Sequence, residues 1–225
     1  MPAGSYFTPQ TFQFLKDLNE NNTRPWFHES KDRYEKHVKE PAMRFIEDLD
    51  PLLTKISPHF MATPRSLFRI HRDTRFSKDK SPYKTYTGIQ FRHEASKDAH
   101  TPGYYLHLQP GEVFMGCGIW RPDSRSLLKI REAIVEDPAR WKRAKNAKRF
   151  QETFELEGES LKTYPRGFDP DHALIGDLRR KDFIGVRRLT QKLVTGPDLP
   201  KEFAALCKAG AGLQKFLCEA IGVAY

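Results

Sequence analysis

Cysteine is scarce in this chain, whose 225 residues include only Cys117, Cys207 and Cys218. An odd number of cysteines, with no C-x-x-C spacing, argues against a disulfide framework. The same count argues against a zinc site built on thiolates. The scarcity therefore favours a reducing compartment, and we expect the protein to work in the cytoplasm.

Long apolar runs are absent as well. No stretch approaches the roughly 18 apolar residues that mark a membrane-spanning helix. The first residues, Met1 to Tyr6, lack the apolar core of a secretory signal peptide. We therefore expect a cytoplasmic protein that has no membrane partner.

The common nucleotide-binding and catalytic motifs are missing. The sequence contains no P-loop, G-x-G-x-x-G, H-E-x-x-H or G-x-S-x-G pattern. No two acids share a predicted strand face in the manner of a two-metal nuclease. The group Asp169, Asp171 and His172 fits a helix cap better than a set of metal ligands. We therefore predict neither a cofactor nor a metal site.

Acidic residues are outnumbered by basic ones. The chain has 38 Lys and Arg against 29 Asp and Glu, which gives a net charge of +9. A basic balance favours anionic partners such as nucleic acid, phosphorylated metabolites or an acidic protein. The alternative is that the charge serves solubility alone, because acids and bases are interspersed along the chain. No pattern in the sequence sets an oligomeric state.

The spacing of apolar residues divides the chain into three parts. It follows the helical period at the start, where Thr8-Pro9 is a typical helix beginning, and again after residue 122. Between them the period is close to two, which predicts strands at 66–76 and 83–93 and a hairpin at 103–120. We predict one α+β domain over residues 1–225. Its central antiparallel sheet, at about residues 66–120, is flanked by N-terminal and C-terminal helices.

The hairpin gives the clearest register. A Pro-Gly turn at 110–111 joins its two strands. Pairing Gln109 with Glu112 places His107 opposite Phe114 and Tyr105 opposite Gly116. One face is then apolar throughout and must belong to the core.

The opposite face of the predicted sheet combines cations, ring donors and glycines. Glycine weakens a strand unless something approaches it closely, and arginine forks suit phosphate or carboxylate. This predicted basic face contains Arg69, His71, Asp73, Arg75, Lys84, Tyr86, Gly88, Gln90, Tyr105, His107, Gly116, Gly118 and Trp120, and Lys80 joins it from a loop.

We rank the binding of a small anionic ligand, bearing phosphate or carboxylate, first among the functions of this face. The ligand would be held by the cations and by the other members of the face: Arg69, Arg75, Lys80, Lys84, Tyr86, Gly116, Gly118 and Trp120. The same site would serve a metal-independent enzyme, and the sequence leaves open whether any reaction occurs. In an enzyme, His107 or His71 is the acid–base candidate, because histidine titrates near neutral pH. Tyr105 would then donate a hydrogen bond or a proton.

Two alternatives use the same residues. A nucleic-acid-binding module would contact phosphates with the cations and stack bases on exposed rings. A structural or interaction protein would instead cover the basic face with its own helices. Steep dependence of binding on salt would identify the first of these alternatives.

The stretch 69–84, RIHRDTRFSKDKSPYK, resembles the signature of a bacterial and fungal family known as domain of unknown function 2461, a conserved hypothetical protein. The stretches 12–27, 103–107 and 161–172 are similar to the same family. These stretches are spread over most of the length of the chain, which supports a single domain. The resemblance implies no assigned reaction, cofactor or catalytic residue, but it selects the segment that periodicity also selects.

Overall fold

Prolines mark the beginnings of the first two helices in the computed structural model, which describes residues 5–96 and 100–225. Pro9 and Pro25 each lie in a first helical turn, where the missing N–H has no partner to lose. Pro41 instead lies within a continuous helical run, directly after a π-helical turn, and the His37 carbonyl four residues before it accepts from the Thr11 hydroxyl at 2.7 Å. The helices are α1 (Pro9–Glu20), α2 (Arg24–Glu29), α3 (Lys31–Tyr34) and α4 (Glu40–Thr54), and a π-helical turn (Glu35–Lys39) joins α3 to α4. Pro51 lies inside α4 without ending it.

One antiparallel sheet forms the centre of the molecule, with strand order β1-β2-β3-β4-β6-β5. The strands are β1 (Phe60–Met61), β2 (Thr87–His93), β3 (Gly103–Gln109), β4 (Glu112–Ile119), β5 (Glu155–Glu157) and β6 (Phe183–Arg188). The predicted hairpin register is confirmed, because Gln109 pairs with Glu112 and Tyr105 with Gly116. The α+β class is confirmed as well.

Helices cover the apolar face of the sheet. Those that follow β4 are α5 (Ser124–Glu136), α6 (Pro138–Asn146), α7 (Lys148–Gln151), α8 (Ile175–Leu178), α9 (Gln191–Val194) and α10 (Leu199–Ile221). Phe45 of α4 and Phe203 of α10 pack against Phe91 of β2, with ring centroids 6.0 and 5.5 Å away. Gly210 lets α10 approach β4, because a Cβ there would lie 2.7 Å from the Cys117 sulfur.

The helices differ from membrane-spanning segments. Within residues 5–96 and 100–225, no helix is both long enough and apolar enough to cross a membrane. The longest, α10, has 23 residues and includes charged side chains.

The segment between β1 and β2 departs from the sequence prediction. Residues 66–76 form no strand, and β2 begins at Thr87 instead of residue 83. Residues 67–86, which we call the ribbon, begin with an isolated bridge from Leu67 to Ile89 of β2 and double back on themselves through a second isolated bridge, from His71 to Tyr83. The ribbon leaves the sheet because Ile70 and Tyr83 are buried in a second core against α1, α2 and the π-helical turn. The apolar residues of 66–76 therefore do not share one buried face, because Ile70 packs on helices whereas Phe76 is 95% exposed.

A side chain from the helices fixes the ribbon. The Asn22 amide nitrogen donates to the Tyr83 carbonyl at 2.9 Å, and the Tyr83 amide donates to the Asn22 carbonyl oxygen at 3.0 Å. The Tyr83 ring stacks on Phe27 of α2, with centroids 4.1 Å apart. These contacts place the polar side of the ribbon opposite the turn between α1 and α2.

Candidate functional site

A large cleft lies between the α1–α2 turn and the ribbon. It has a volume of about 1090 Å³, and we call it the cationic cavity. Its walls come from two stretches of the chain: Asn22, Thr23, Arg24, Pro25, Phe27, His28 and Lys31 on one side, and His71, Arg72, Thr74, Lys80, Pro82 and Tyr83 on the other.

The charged residues that line this cavity are all cations. Arg24, Lys31, Arg72 and Lys80 line it, whereas no Asp or Glu does. Arg72 forms an ion pair with Asp79, outside the cavity, and the Lys80 ammonium donates to the Thr74 carbonyl at 2.9 Å. Neither Arg24 nor Lys31 forms an ion pair with any residue that the structure describes. The cavity therefore presents uncompensated positive charge to solvent.

Two histidines contribute to the same cleft. His71 lies with its ring centroid 5.2 Å from that of Tyr83 and 6.4 Å from that of Phe27. His28 of α2 lies on the opposite wall. Of the predicted acid–base candidates, His71 is therefore the one that the structure places among cations.

A smaller polar pit adjoins the cationic cavity. It has a volume of about 440 Å³ and shares Asn22, Arg72 and Tyr83 with it, while its other walls are Asn19, Asp73, Asp79, Ser81, Lys84, Thr85 and Tyr86. The Asp79 carboxylate accepts from the Arg72 guanidinium and from the Ser81 amide and hydroxyl. These bonds hold the pKa of Asp79 well below its usual range. The carboxylate thus fixes Arg72 in the wall between the two spaces.

Arg75 is neutralised within the ribbon itself. Its guanidinium donates to both oxygens of Asp73, at 3.0 and 2.7 Å, and lowers the pKa of that carboxyl. Arg69 is exposed, and its carbonyl accepts from the Lys84 ammonium at 2.7 Å. Burial lowers the pKa of Lys84, which also lies 5.6 Å from the centre of the Phe68 ring.

The open face of the sheet carries a third space, which we call the aromatic groove. It has a volume of about 320 Å³ and is lined by Phe68, Tyr86, Gln90, Thr101, Gly103, Tyr105, Phe114, Gly116, Cys117, Gly118, Trp120, Ile184 and Val186. The structure brings together here six residues of the predicted basic face: Tyr86, Gln90, Tyr105, Gly116, Gly118 and Trp120. The predicted cations Arg69, Arg75, Lys80 and Lys84 do not line it, because the ribbon that carries them packs on the N-terminal helices.

Of the three glycines that line the groove, Gly116 and Gly118 differ in whether the backbone requires a glycine. Gly118 has a φ of 127°, and a Cβ there would lie 2.0 Å from the Phe183 carbonyl oxygen, so the backbone itself requires glycine. At Gly116 a Cβ would meet only the Cβ of Tyr105, at 3.8 Å. Packing therefore does not require glycine at 116, and its effect is to keep the floor of the groove low.

His107 lies beneath the groove and does not line it. Its ring lies between Tyr86 and Phe114, with centroids 4.7 and 4.6 Å away, and only 8% of the residue is exposed. Its Nε2 lies 3.2 Å from the side-chain amide oxygen of Gln109, and we assign the proton to this nitrogen because an oxygen can only accept there. Its Nδ1 accepts from the Tyr105 hydroxyl at 3.0 Å. With both nitrogens engaged, His107 positions the Tyr105 ring.

We expect His107 to make the protein less stable in mild acid. Burial lowers its pKa, so the unfolded chain binds a proton at a higher pH than the native chain does. The stability this group contributes is present above its unfolded pKa of about 6.5 and is lost as the pH falls below it. Urea denaturation at a series of pH values should show a steeper loss from about pH 7 to pH 5 in the parent than in His107→Phe. If the free energy of unfolding falls equally with pH in the parent and in His107→Phe, burial of His107 does not cause the loss of stability.

Several residues of the cationic cavity were not predicted from the sequence. Arg24, His28 and Lys31 lie on short helices, Asn22 lies in the turn before them, and no pattern in the sequence assigned any of the four to a site. The family resemblance over 12–27 is the one sequence feature that pointed to Asn22 and Arg24.

Asp169, predicted to cap a helix, instead closes a turn by accepting from the Asp171 amide at 2.9 Å. In the part of the chain that the structure describes, no three His, Cys, Asp or Glu side chains come together as a metal site.

Comparison with known proteins gives one match. The model of the family described as Conserved hypothetical protein (DUF2461) matches residues 10–216. No curated protein and no solved structure matches the chain. The matched range contains all the residues that line the cationic cavity, the polar pit and the aromatic groove.

Proposed function

The chain belongs to the family of conserved hypothetical proteins known as domain of unknown function 2461, whose description gives no activity, and we propose a function from the geometry of the site. The protein binds a small phosphate- or carboxylate-bearing ligand in the cationic cavity. The observation that carries this proposal is the wall of Arg24, Lys31, Arg72 and Lys80 without an acidic neighbour in the lining. An anion would find there both charge and several N–H donors.

The local geometry supports recognition by more than net charge. Arg72 is held by Asp79 and by the ribbon, so its guanidinium is oriented before a ligand arrives. Arg24 and Lys31 come from the opposite wall, so an anion between the walls would be contacted from two sides. Thr23 and Thr74 add hydroxyl groups to the same lining. A phosphate offers enough oxygens to accept from several of these donors.

One observation favours the nucleic-acid alternative. Phe76, at the tip of the ribbon, is 95% exposed, and the Arg75 guanidinium lies 5.8 Å from the centre of its ring. An exposed ring among cations suits stacking on a nucleic-acid base together with phosphate contacts. Phe76 lies outside the cationic cavity, so the two candidates use different side chains.

We expect millimolar inorganic pyrophosphate or citrate to raise the Tm of the protein. A ligand present at 100 times its Kd adds about 2.7 kcal/mol to the free energy of unfolding, which is several degrees for a chain of this size. The Arg24→Ala/Lys31→Ala variant should lose this shift, measured by differential scanning fluorimetry at constant ionic strength.

The matched control is Lys142→Ala/Arg143→Ala, which removes two exposed cations from α6 and changes the net charge equally. It should keep the parent's shift. Equal shifts in both variants, or none in the parent, would overturn the proposal. A shift produced only by an oligonucleotide, abolished by salt and by Phe76→Ala, would favour the nucleic-acid alternative.

A further inference from the structure

The floor of the aromatic groove is a part of the sheet that carries no side chains. Gly103 of β3 pairs with Gly118 of β4, and Gly116 lies two residues before Gly118 on the same strand. All three glycines line the groove. In the register of the sheet, Gly116 lies between Tyr105 of β3 and Val186 of β6. Backbone is therefore exposed at the centre of the groove, with side chains on both sides of it.

The Tyr105 ring leans away from this floor. A Cβ at Gly88 of β2 would lie 2.7 Å from the Tyr105 hydroxyl oxygen and 3.0 Å from its Cε2, so the ring lies over β2. At Gly116, by contrast, a Cβ would meet only the Tyr105 Cβ, at 3.8 Å. The hydroxyl donates to His107 Nδ1 at 3.0 Å, and the Phe68 ring lies 5.9 Å from the Tyr105 ring. These contacts hold the ring over Gly88 and leave the space above Gly116 unfilled.

The lining of the groove favours a flat molecule without charge. Five rings surround the groove, those of Phe68, Tyr86, Tyr105, Phe114 and Trp120. Among the residues that the structure describes, no Asp, Glu, Lys, Arg or His lines it, so a charged group would lose its hydration there without gaining a partner. The volume of about 320 Å³ is roughly twice that of a cavity that binds benzene, which leaves room for one or two fused rings.

From the open floor, the displaced Tyr105 ring and the uncharged lining, we propose that the aromatic groove is a second binding site, for a neutral planar compound of one or two fused rings. The compound lies over Gly116 and buries its apolar surface against the aromatic walls. His107 stacks between Tyr86 and Phe114, at 4.7 and 4.6 Å, so both of these rings are in place before a ligand binds. The site is separate from the anion site, because the groove and the cationic cavity share no lining residue.

Isothermal titration with matched probes tests the shape and charge of the ligand. The probes are 2-naphthol, its saturated analogue decahydro-2-naphthol, and naphthalene-2-sulfonate. We expect 2-naphthol to bind the parent tenfold or more tightly than the saturated analogue, in keeping with the effect of stacking a single ring. The sulfonate should bind the groove more weakly than 2-naphthol, because its charge finds no partner there.

Two variants and one spectroscopic signal locate the binding. Gly116→Val, which fills the floor, should weaken 2-naphthol binding at least tenfold and leave the Tm shift by pyrophosphate as it is, because Gly116 lies outside the cationic cavity. Gly176→Val is the matched control, since Gly176 lies on α8, lines none of the three spaces and has no neighbour within 4 Å of a Cβ. The indole N–H signal of Trp120, identified by its loss in Trp120→Ala, should move with 2-naphthol and stay in place with pyrophosphate.

Trp120→Ala also serves as a second groove variant in case Gly116→Val folds poorly, because the Trp120 side chain is 47% exposed and its loss should spare the fold. It too should weaken 2-naphthol binding. Equal affinity for 2-naphthol and its saturated analogue would overturn the inference, as would unchanged affinity in the groove variants. Tighter binding of the sulfonate, lost in Gly116→Val, would show a site for charged rings and also overturn it. If 2-naphthol does not bind the folded parent, the groove is no ring site, and the anion site is judged separately by its response to pyrophosphate.

Discussion

Alanine at Gly118 should lower the free energy of unfolding by about 2–6 kcal/mol. A non-glycine residue in so sparsely populated a backbone conformation costs roughly 1–3 kcal/mol. The new Cβ would also lie 2.0 Å from the Phe183 carbonyl oxygen, which forces β4 and β6 apart. Such overpacking costs a further 1–3 kcal/mol or so. Since domains are stable by only about 5–15 kcal/mol, this single methyl group could unfold the protein.

The neighbouring glycine provides the control. Gly116 lies two residues away on the same face of β4, but its φ is not positive and a Cβ there has room. We expect Gly116→Ala to stabilise the protein by about 0.4–1 kcal/mol, because alanine restricts the unfolded chain. Urea denaturation of both variants measures the difference. Destabilisation of equal size at both positions would show that Gly116, too, serves the fold and would remove the reason to regard it as the floor of a ligand site.

The sequence predicted those parts of the fold that local patterns determine. The Pro-Gly turn and the apolar face of the hairpin set the register of β3 and β4, and a change of one residue would have exposed Leu106 and Met115. Helix beginnings followed from threonine and proline positions, as at Thr8 and Pro9. These signals lie within a few residues of the structure they specify.

The ribbon could not be predicted because its partner is distant in the chain. Ile70 and Phe68 alternate with polar residues as in a half-buried strand, but Ile70 packs on α1 and α2 whereas Phe68 covers the edge of the groove. Asn22, which bonds to the Tyr83 backbone, is 61 residues away. An alternating pattern shows that one side is buried and does not show against which element.

The same limit explains why the candidate site was only partly predicted. The sequence grouped four cations with the glycines on one face, whereas in the structure Lys80 lines the cationic cavity, Lys84 lines the polar pit, and Arg69 and Arg75 line none of the three spaces. Lys80 and His71 line the cationic cavity, and Gly116 and Trp120 line the aromatic groove. Arg24 and Lys31 could not be assigned to a site, since a cation on a short helix is usually only solvated.

Replacing Tyr83 with alanine should detach the ribbon and remove the cationic cavity. The Tyr83 ring is 5% exposed and stacks on Phe27, and deleting a buried aromatic ring costs about 3–5 kcal/mol. The Asn22 bonds go to the Tyr83 backbone and survive the substitution, so the loss reports the packing of the ring. Without that packing, the ribbon is held by Ile70 in the second core, by the Asn22 bonds, and by isolated bridges and a few backbone bonds, and we expect it to open locally.

Hydrogen exchange separates local opening from global destabilisation. The amides of Arg72 and Lys84 bond across the ribbon, to the carbonyls of Pro82 and Ile70, at 2.9 and 2.8 Å. In Tyr83→Ala these two amides should lose protection while the amides of β3 and β4 keep theirs, and pyrophosphate should no longer raise the Tm. Tyr83→Phe keeps the ring and should behave as the parent does. If Tyr83→Ala retains both the amide protection and the response to pyrophosphate, the ribbon is held by other contacts, and the second core does not build the anion site.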